Sequence, residues 1–139
     1  MTSTNKIHPK YSIIPAQAII EMVLILPLLL LLILGAMDFG RMFYTKMVIT
    51  DAAREGVNYL SKNPDDKSNS YVNTKAVIVA SGESSGITVT SGEITFTNCC
   101  TQGLPVSVTV TKAANFMFAK FLQIGGTPSL ISTVTMVVQ

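Results

Sequence analysis

The chain has 139 residues, about one domain's worth, with hydrophobic residues at 48% and charged residues at only 13%. Charge is sparse for a soluble domain, and the apolar excess is concentrated in residues 18–37. A formal net charge of +2, with no basic stripe interleaved with aromatics, argues against nucleic acid as a partner.

Residues 18–37 read AIIEMVLILPLLLLLILGAM. As a helix these twenty residues span roughly 30 Å, the thickness of a bilayer's hydrocarbon core. Lys6 and Lys10 precede the run and no acidic residue occurs before Glu21. The positive-inside rule then leaves the N-terminus in the cytoplasm and the bulk of the chain outside. A secretory signal peptide is the competing reading, with Gly35-Ala36 as its cleavage site. Its apolar core should run only about 7 to 15 residues. Here the run is longer, carries an internal Glu, and continues as a helical pattern past the supposed cut.

Two residues inside the run are unusual. Glu21 is a lone carboxylate, and a bare carboxylate in hydrocarbon costs several kcal/mol or neutralises itself. Pro27 removes a backbone donor and strains the preceding turn, so a kink or a short melted stretch is expected there. Membrane helices tolerate such a proline when neighbouring helices satisfy the freed carbonyl.

The helical pattern then leaves the membrane. Phe39, Met42, Phe43, Ile49, Ala53, Val57 and Leu60 fall within about a third of a helical wheel, while Asp51, Arg54 and Glu55 point elsewhere. One helix is predicted over 18–62, stopped by Asn63-Pro64. Asp38 and Arg41, three apart, can pair on its surface. Asp38-Phe39-Gly40 matches a kinase tripeptide by letters, but no glycine-rich loop or catalytic loop accompanies it.

Beyond a polar linker at 64–70, residues 71–80 read as a short helix, with a strand as the alternative because of Val77-Ile78-Val79. Three strand signals follow. Residues 87–97 are broken by Ser91-Gly92, a bulge or a tight hairpin. Val106, Val108 and Val110 alternate with Ser107, Thr109 and Thr111, and Val134, Met136 and Val138 share one face of a strand over 130–138. Between these two lies an apolar connection over 115–126 with Phe116, Met117, Phe118, Phe121 and Leu122. The expected fold is α+β: one long N-terminal helix covering the apolar face of a small antiparallel sheet.

The two cysteines, Cys99 and Cys100, are adjacent. Within one chain they allow only a vicinal disulfide. Free thiols are the first reading, a vicinal disulfide the second and intermolecular bridging the third. His8 is the only histidine, so no metal site is expected. No Ser/His/Asp or Cys/His set and no phosphate-binding glycine loop is visible, so neither an enzyme nor a cofactor is expected.

Taken together, AQAIIEMVLILPLLLLLILGAMDFGRMFY followed by DAAREG resembles the TadE-like family, pilin-like proteins of tight-adherence (Tad) pilus systems. Gln17, Glu21, Pro27, Asp38-Phe39-Gly40-Arg41 and Ala52-Ala53-Arg54-Glu55-Gly56 stand in the family's order, and the clear match covers roughly residues 16–56. The resemblance implies a prepilin-type leader, residues 1–16, cut by a membrane aspartic peptidase between Ala16 and Gln17. Ala16 stands where the family usually has Gly, and Met22 where an aromatic is common. Cleavage would make Glu21 the fifth residue of the mature chain and give Gln17 a free α-amine. It would also remove Lys6 and Lys10, leaving eight basic and eight acidic side chains.

The expected division is then leader 1–16, membrane or filament-core helix 17–37, amphipathic outer helix 38–63, and an extracytoplasmic β-rich domain 64–139. The implied role is a structural subunit of a Tad or type IV-like filament, held in the inner membrane before assembly. Its implied partners are copies of itself or other pilins, the prepilin peptidase and the pilus assembly machinery. The competing role is a single-pass membrane protein with an extracytoplasmic interaction domain that never polymerises.

Overall fold

Leu, Ile, Met and Ala dominate the N-terminal third of the chain, and all are compatible with a helix. In the computed structural model, which describes residues 14–98, 100–114 and 128–139, this third forms a single helix, α1 (Ile14–Lys62), of 49 residues. At ~1.5 Å per residue it is about 73 Å long. It starts four residues earlier than the apolar run suggests and runs unbroken through Pro27, with no melted stretch. It ends where expected: the Asn63 backbone N–H and Nδ2 donate to Tyr59 O at 3.0 and 2.9 Å, and Pro64 opens a short 3-10 turn, Pro64–Lys67.

The second helix, α2 (Val72–Ser84), resolves the helix-or-strand ambiguity at 71–80 in favour of helix. What decides it is the start of the helix. Ser70 and Tyr71 both adopt left-handed backbone, at φ 55° and 60°, which is uncommon for residues other than glycine. The turn is held from two sides. Asp66 accepts hydrogen bonds from the first turn of α2, and the Tyr71 ring stacks on Phe96 at 4.2 Å between centroids.

The sheet has three antiparallel strands in the order β1 (Ile94–Thr97), β2 (Pro105–Ala113), β3 (Ser129–Val137). Ile94 pairs with Val110, and Val108 with Val134, which puts Ile94, Phe96, Val106, Val108, Val110 and Val134 on one face. The opposite face is a hydroxyl ladder, with Ser107–Thr135 and Thr109–Thr133 contacts of 2.7 and 2.9 Å. Only the second half of the 87–97 signal becomes a strand. Residues Ser91–Glu93 form a 3-10 turn instead, closed by a capping box in which the Thr90 N–H donates to the Glu93 carboxylate at 2.8 Å. The connection over 115–126 lies outside the described residues.

α1 covers the sheet with its outer half. Ile49, Ala52, Ala53, Val57 and Leu60 pack with Ile78 of α2, with Val106, Val108 and Val110 of β2, and with Ile94 and Val138. Strand β3 runs alongside α1 in the same direction. Lys46 Nζ donates to Ile131 O, Thr50 Oγ1 meets Ser132 Oγ at 2.9 Å, and Gln139 N donates to Ser61 O at 3.0 Å. Two residues depart from the expected buried stripe: Phe39 and Phe43 are exposed, and Met42 is half-buried. The apolar core begins only at Val48, although Asp38 below it is buried and Met42 and Thr45 are half-buried.

Candidate functional site

The candidate site is α1 itself, because its two halves have opposite environments. Every large apolar side chain from Ile19 to Leu34 is exposed, with Leu24 at 72% and Leu32 at 67%. α1 is long and apolar enough to cross a membrane, and its most apolar window has no buried residue. Leaving such a surface in water is costly, since burial of one large apolar side chain is worth about 1.5–3 kcal/mol. The outer half shows the reverse, with Ile49, Val57 and Leu60 fully buried.

Gln17 and Glu21 lie four residues apart on the exposed part of α1, so they are neighbours on one helix face about 6 Å apart along the axis. Ala16 belongs to the opening turns of the same helix. Pro27 sits ten residues above Gln17, within the exposed run. Asp38 and Arg41 are one turn apart but in different settings: Asp38 is buried and Arg41 is exposed. Arg41 lines an open cleft of about 570 Å³ between α1, the loop after α2 and the end of β2.

The outer domain is fastened by two carboxylates that no sequence motif for function had singled out. Burial alone would raise the pKa of Asp66. Hydrogen bonds from the Thr74 hydroxyl at 2.6 Å, the Thr74 N–H at 2.8 Å and Asn73 outweigh it and hold the carboxyl below its ordinary value. Glu93 is likewise pushed up by burial and brought lower on balance by the Thr90 N–H and by Lys112, whose Nζ lies 3.0 Å away. The Thr90-x-x-Glu93 spacing is a readable capping-box signal. The reach of Asp66 across a 3-10 turn to α2 has no such signature.

Cys100 is disulfide-bonded and sits at φ 118°. The first sequence reading, free thiols, is therefore corrected; Cys99 lies outside the described residues. Among the described residues no group of three or more His, Cys, Asp or Glu side chains is placed to hold a metal ion.

A long helix, apolar and bare at its N-terminal half and docked on a small antiparallel sheet at the other, defines an α+β protein with one helix long and apolar enough to cross a membrane. Residues 16–58 match the model of the TadE-like protein family, a structural, pilus-associated family. The match ends inside α1, two residues short of Leu60, so it covers the bare half and most of the docked half of the helix but none of the sheet. No curated protein and no solved structure matches the chain.

Proposed function

We propose that the chain is a pilin-like subunit of an extracellular Tad or type IV-like filament, anchored in the inner membrane by the bare half of α1 until it assembles. The observation that carries this reading is the division of α1 into an exposed apolar half and a half buried against its own sheet. An anchor needs only the first. A rigid helix continuing into the sheet gives each subunit a fixed geometry between its membrane segment and its outer domain, which a repeating assembly requires. Subunits leave the bilayer because packed neighbours replace lipid against residues 18–37, and no catalytic step is involved. Copies of the chain or other pilins, the prepilin peptidase and the membrane assembly machinery are the partners.

Glu21 supplies the register. With the leader removed between Ala16 and Gln17, the α-amine of one subunit meets the Glu21 carboxylate of its neighbour. In low dielectric that pair is strongly attractive, and an unmatched Glu21 is penalised. The test is mass spectrometry of the N-terminus with shearing of whole cells. A chain starting at Gln17 in the sheared fraction is the expected result. A chain found only in membranes and starting at Met1 supports the non-polymerising anchor instead. Glu21→Ala is expected to abolish sheared filaments; assembly at wild-type yield rules out the register role.

A further inference from the structure

The cleft beside Arg41 has no part in the assembly reading above. Its α1 wall carries Arg41, Met42 and Tyr44, and its opposite wall is built by Ile87, Thr88 and Lys112. At about 570 Å³ it is within the range of small-ligand sites. Its charge is one-sided. Lys112 Nζ is committed to Glu93 at 3.0 Å and to Thr88 O at 2.6 Å. Arg41 takes part in neither the Arg54–Asp51 nor the Lys112–Glu93 ion pair. Arg41 thus brings an exposed guanidinium to a cleft whose other cation is already engaged with Glu93.

The depth of the cleft says what kind of anion is at hand. Arg41 lies four residues past Met37, the last residue of the membrane-length run, and therefore about 6 Å beyond the hydrocarbon edge. The headgroup layer on each side of a bilayer is about 5–8 Å thick. With α1 spanning the bilayer over residues 18–37, the cleft opens at the level of lipid phosphates. The Met42 and Ile87 side chains add apolar surface suited to a glycerol backbone, while a guanidinium fork matches a phosphodiester in two parallel hydrogen bonds.

We propose that this cleft binds the phosphodiester headgroup of an anionic membrane lipid, with Arg41 as the principal ligand. The site rests on the membrane-anchored reading of α1. It fixes the height of the outer domain above the bilayer before assembly, because the headgroup bridges α1 and the sheet end at one level.

The test is native mass spectrometry of the full chain released from nanodiscs of phosphatidylethanolamine with a minor fraction of phosphatidylglycerol. Wild-type chain is expected to retain phosphatidylglycerol several-fold above its share of the bilayer. Arg41→Gln is expected to lose that enrichment, and Arg54→Gln, on an exposed face away from the cleft, to keep it. Ala113→Leu narrows the cleft without altering charge and is expected to lose the enrichment as well, which separates a site from diffuse attraction. Equal retention by wild type and both cleft variants overturns the proposal while leaving the anchor intact. Displacement of the lipid by millimolar inorganic phosphate assigns the cleft to a free anion and overturns the lipid assignment. A chain that fails to insert overturns the anchor and the lipid site together.

Discussion

The inner half of α1 leaves Leu24 and Leu32 mostly exposed, whereas Ile49, Val57 and Leu60 of its outer half are fully buried, on one unbroken backbone. Composition already separates the two, since residues 18–37 carry one charged side chain, Glu21, and residues 38–62 carry seven. Distribution differs as well. Apolar residues surround the inner half on all sides, which only lipid or other helices can satisfy. In the outer half they gather on one side, and the chain's own sheet satisfies them. The difference predicts that the two halves answer to different measurements: the outer half to folding stability, the inner half to membrane insertion and assembly.

The largest effect that separates them comes from truncating one leucine in each half. Leu60→Ala opens a cavity in the core formed with Ile78, Val106 and Val108, and large-to-small changes at such sites cost about 2–5 kcal/mol. Amide protection across β2 and β3 should fall by orders of magnitude in detergent-solubilised chain. Leu30→Ala removes the same atoms from a half-exposed site and should leave that protection unchanged. Equal losses in the two variants would mean that the halves are not energetically separate.

Next in size is the contact between α2 and the loop that follows it. A methyl added at Gly82 would lie 2.8 Å from both the Ile87 carbonyl oxygen and the Val89 Cγ2 atom. The carbonyl is backbone and accepts no easy displacement, and Gly82 O already receives the Ile87 N–H at 3.0 Å. Gly82→Ala should therefore destabilise the outer domain by about 1–3 kcal/mol, the usual cost of overpacking. Gly35→Ala, in open space on the inner half, should not. Thermal melts followed by circular dichroism compare the two.

Asp66 gives the outer half a pH dependence. Its folded pKa lies below the ordinary 3.8, so the stability it contributes is present above that value and is lost as pH falls through the lower, folded one. The outer domain should weaken on acidification below about pH 4. Asp66→Asn keeps one acceptor but removes the charge-assisted bonds to Thr74, at a cost of about 1–3 kcal/mol near neutral pH. It should also flatten the acid limb of a stability-against-pH curve. An unchanged limb would assign the acid sensitivity elsewhere, with Glu93, whose pKa is also lowered, as the next group to replace.

The sequence made the long helix legible because its signals agree: an apolar run of membrane length, a continuing stripe and a proline stop. The β2 and β3 strands were legible from alternation over Val106–Val110 and Val134–Val138. Phe39 and Phe43 lie at the edge of the stripe, about 80° and 120° from Ile49 at 100° per residue. Asp38 and Met42, within about 20° of Ile49, are buried and half-buried at the same height, so the stripe that α1 buries is narrower than the one the wheel suggests. Residues 87–93 were read as strand because Ile-Thr-Val-Thr has β propensity, and the Thr90–Glu93 capping box overrode it locally. Of the candidate site, Gln17, Glu21 and Pro27 came from the apolar run and the family pattern. The Arg41 cleft did not, since residues 41, 88 and 112 are brought together only by the docking of the sheet on the helix.

The smallest expected effect concerns two ion pairs of similar chemistry in different settings. Arg54 and Asp51 sit three apart on α1, 3.4 Å from each other, with side chains 67% and 65% exposed. Such a pair is screened by salt and must hold two flexible side chains in place, so its net worth is about 0–0.5 kcal/mol. Lys112 and Glu93 are 3.0 Å apart and only 23% and 24% exposed, and each has a further partner: Thr88 O for the ammonium and the Thr90 N–H for the carboxylate. Removing the lysine strands a half-buried carboxylate, which makes Lys112→Met more costly than Arg54→Ala, by about 1–2 kcal/mol. Arg54→Ala should shift the melting temperature of the outer domain by no more than measurement error. A clear loss on removing Arg54 in assembled filaments, with none in the isolated subunit, would show that the exposed face of outer α1 is covered by a neighbour. That result would extend the assembly surface beyond the inner half and erase the sharp boundary between the two.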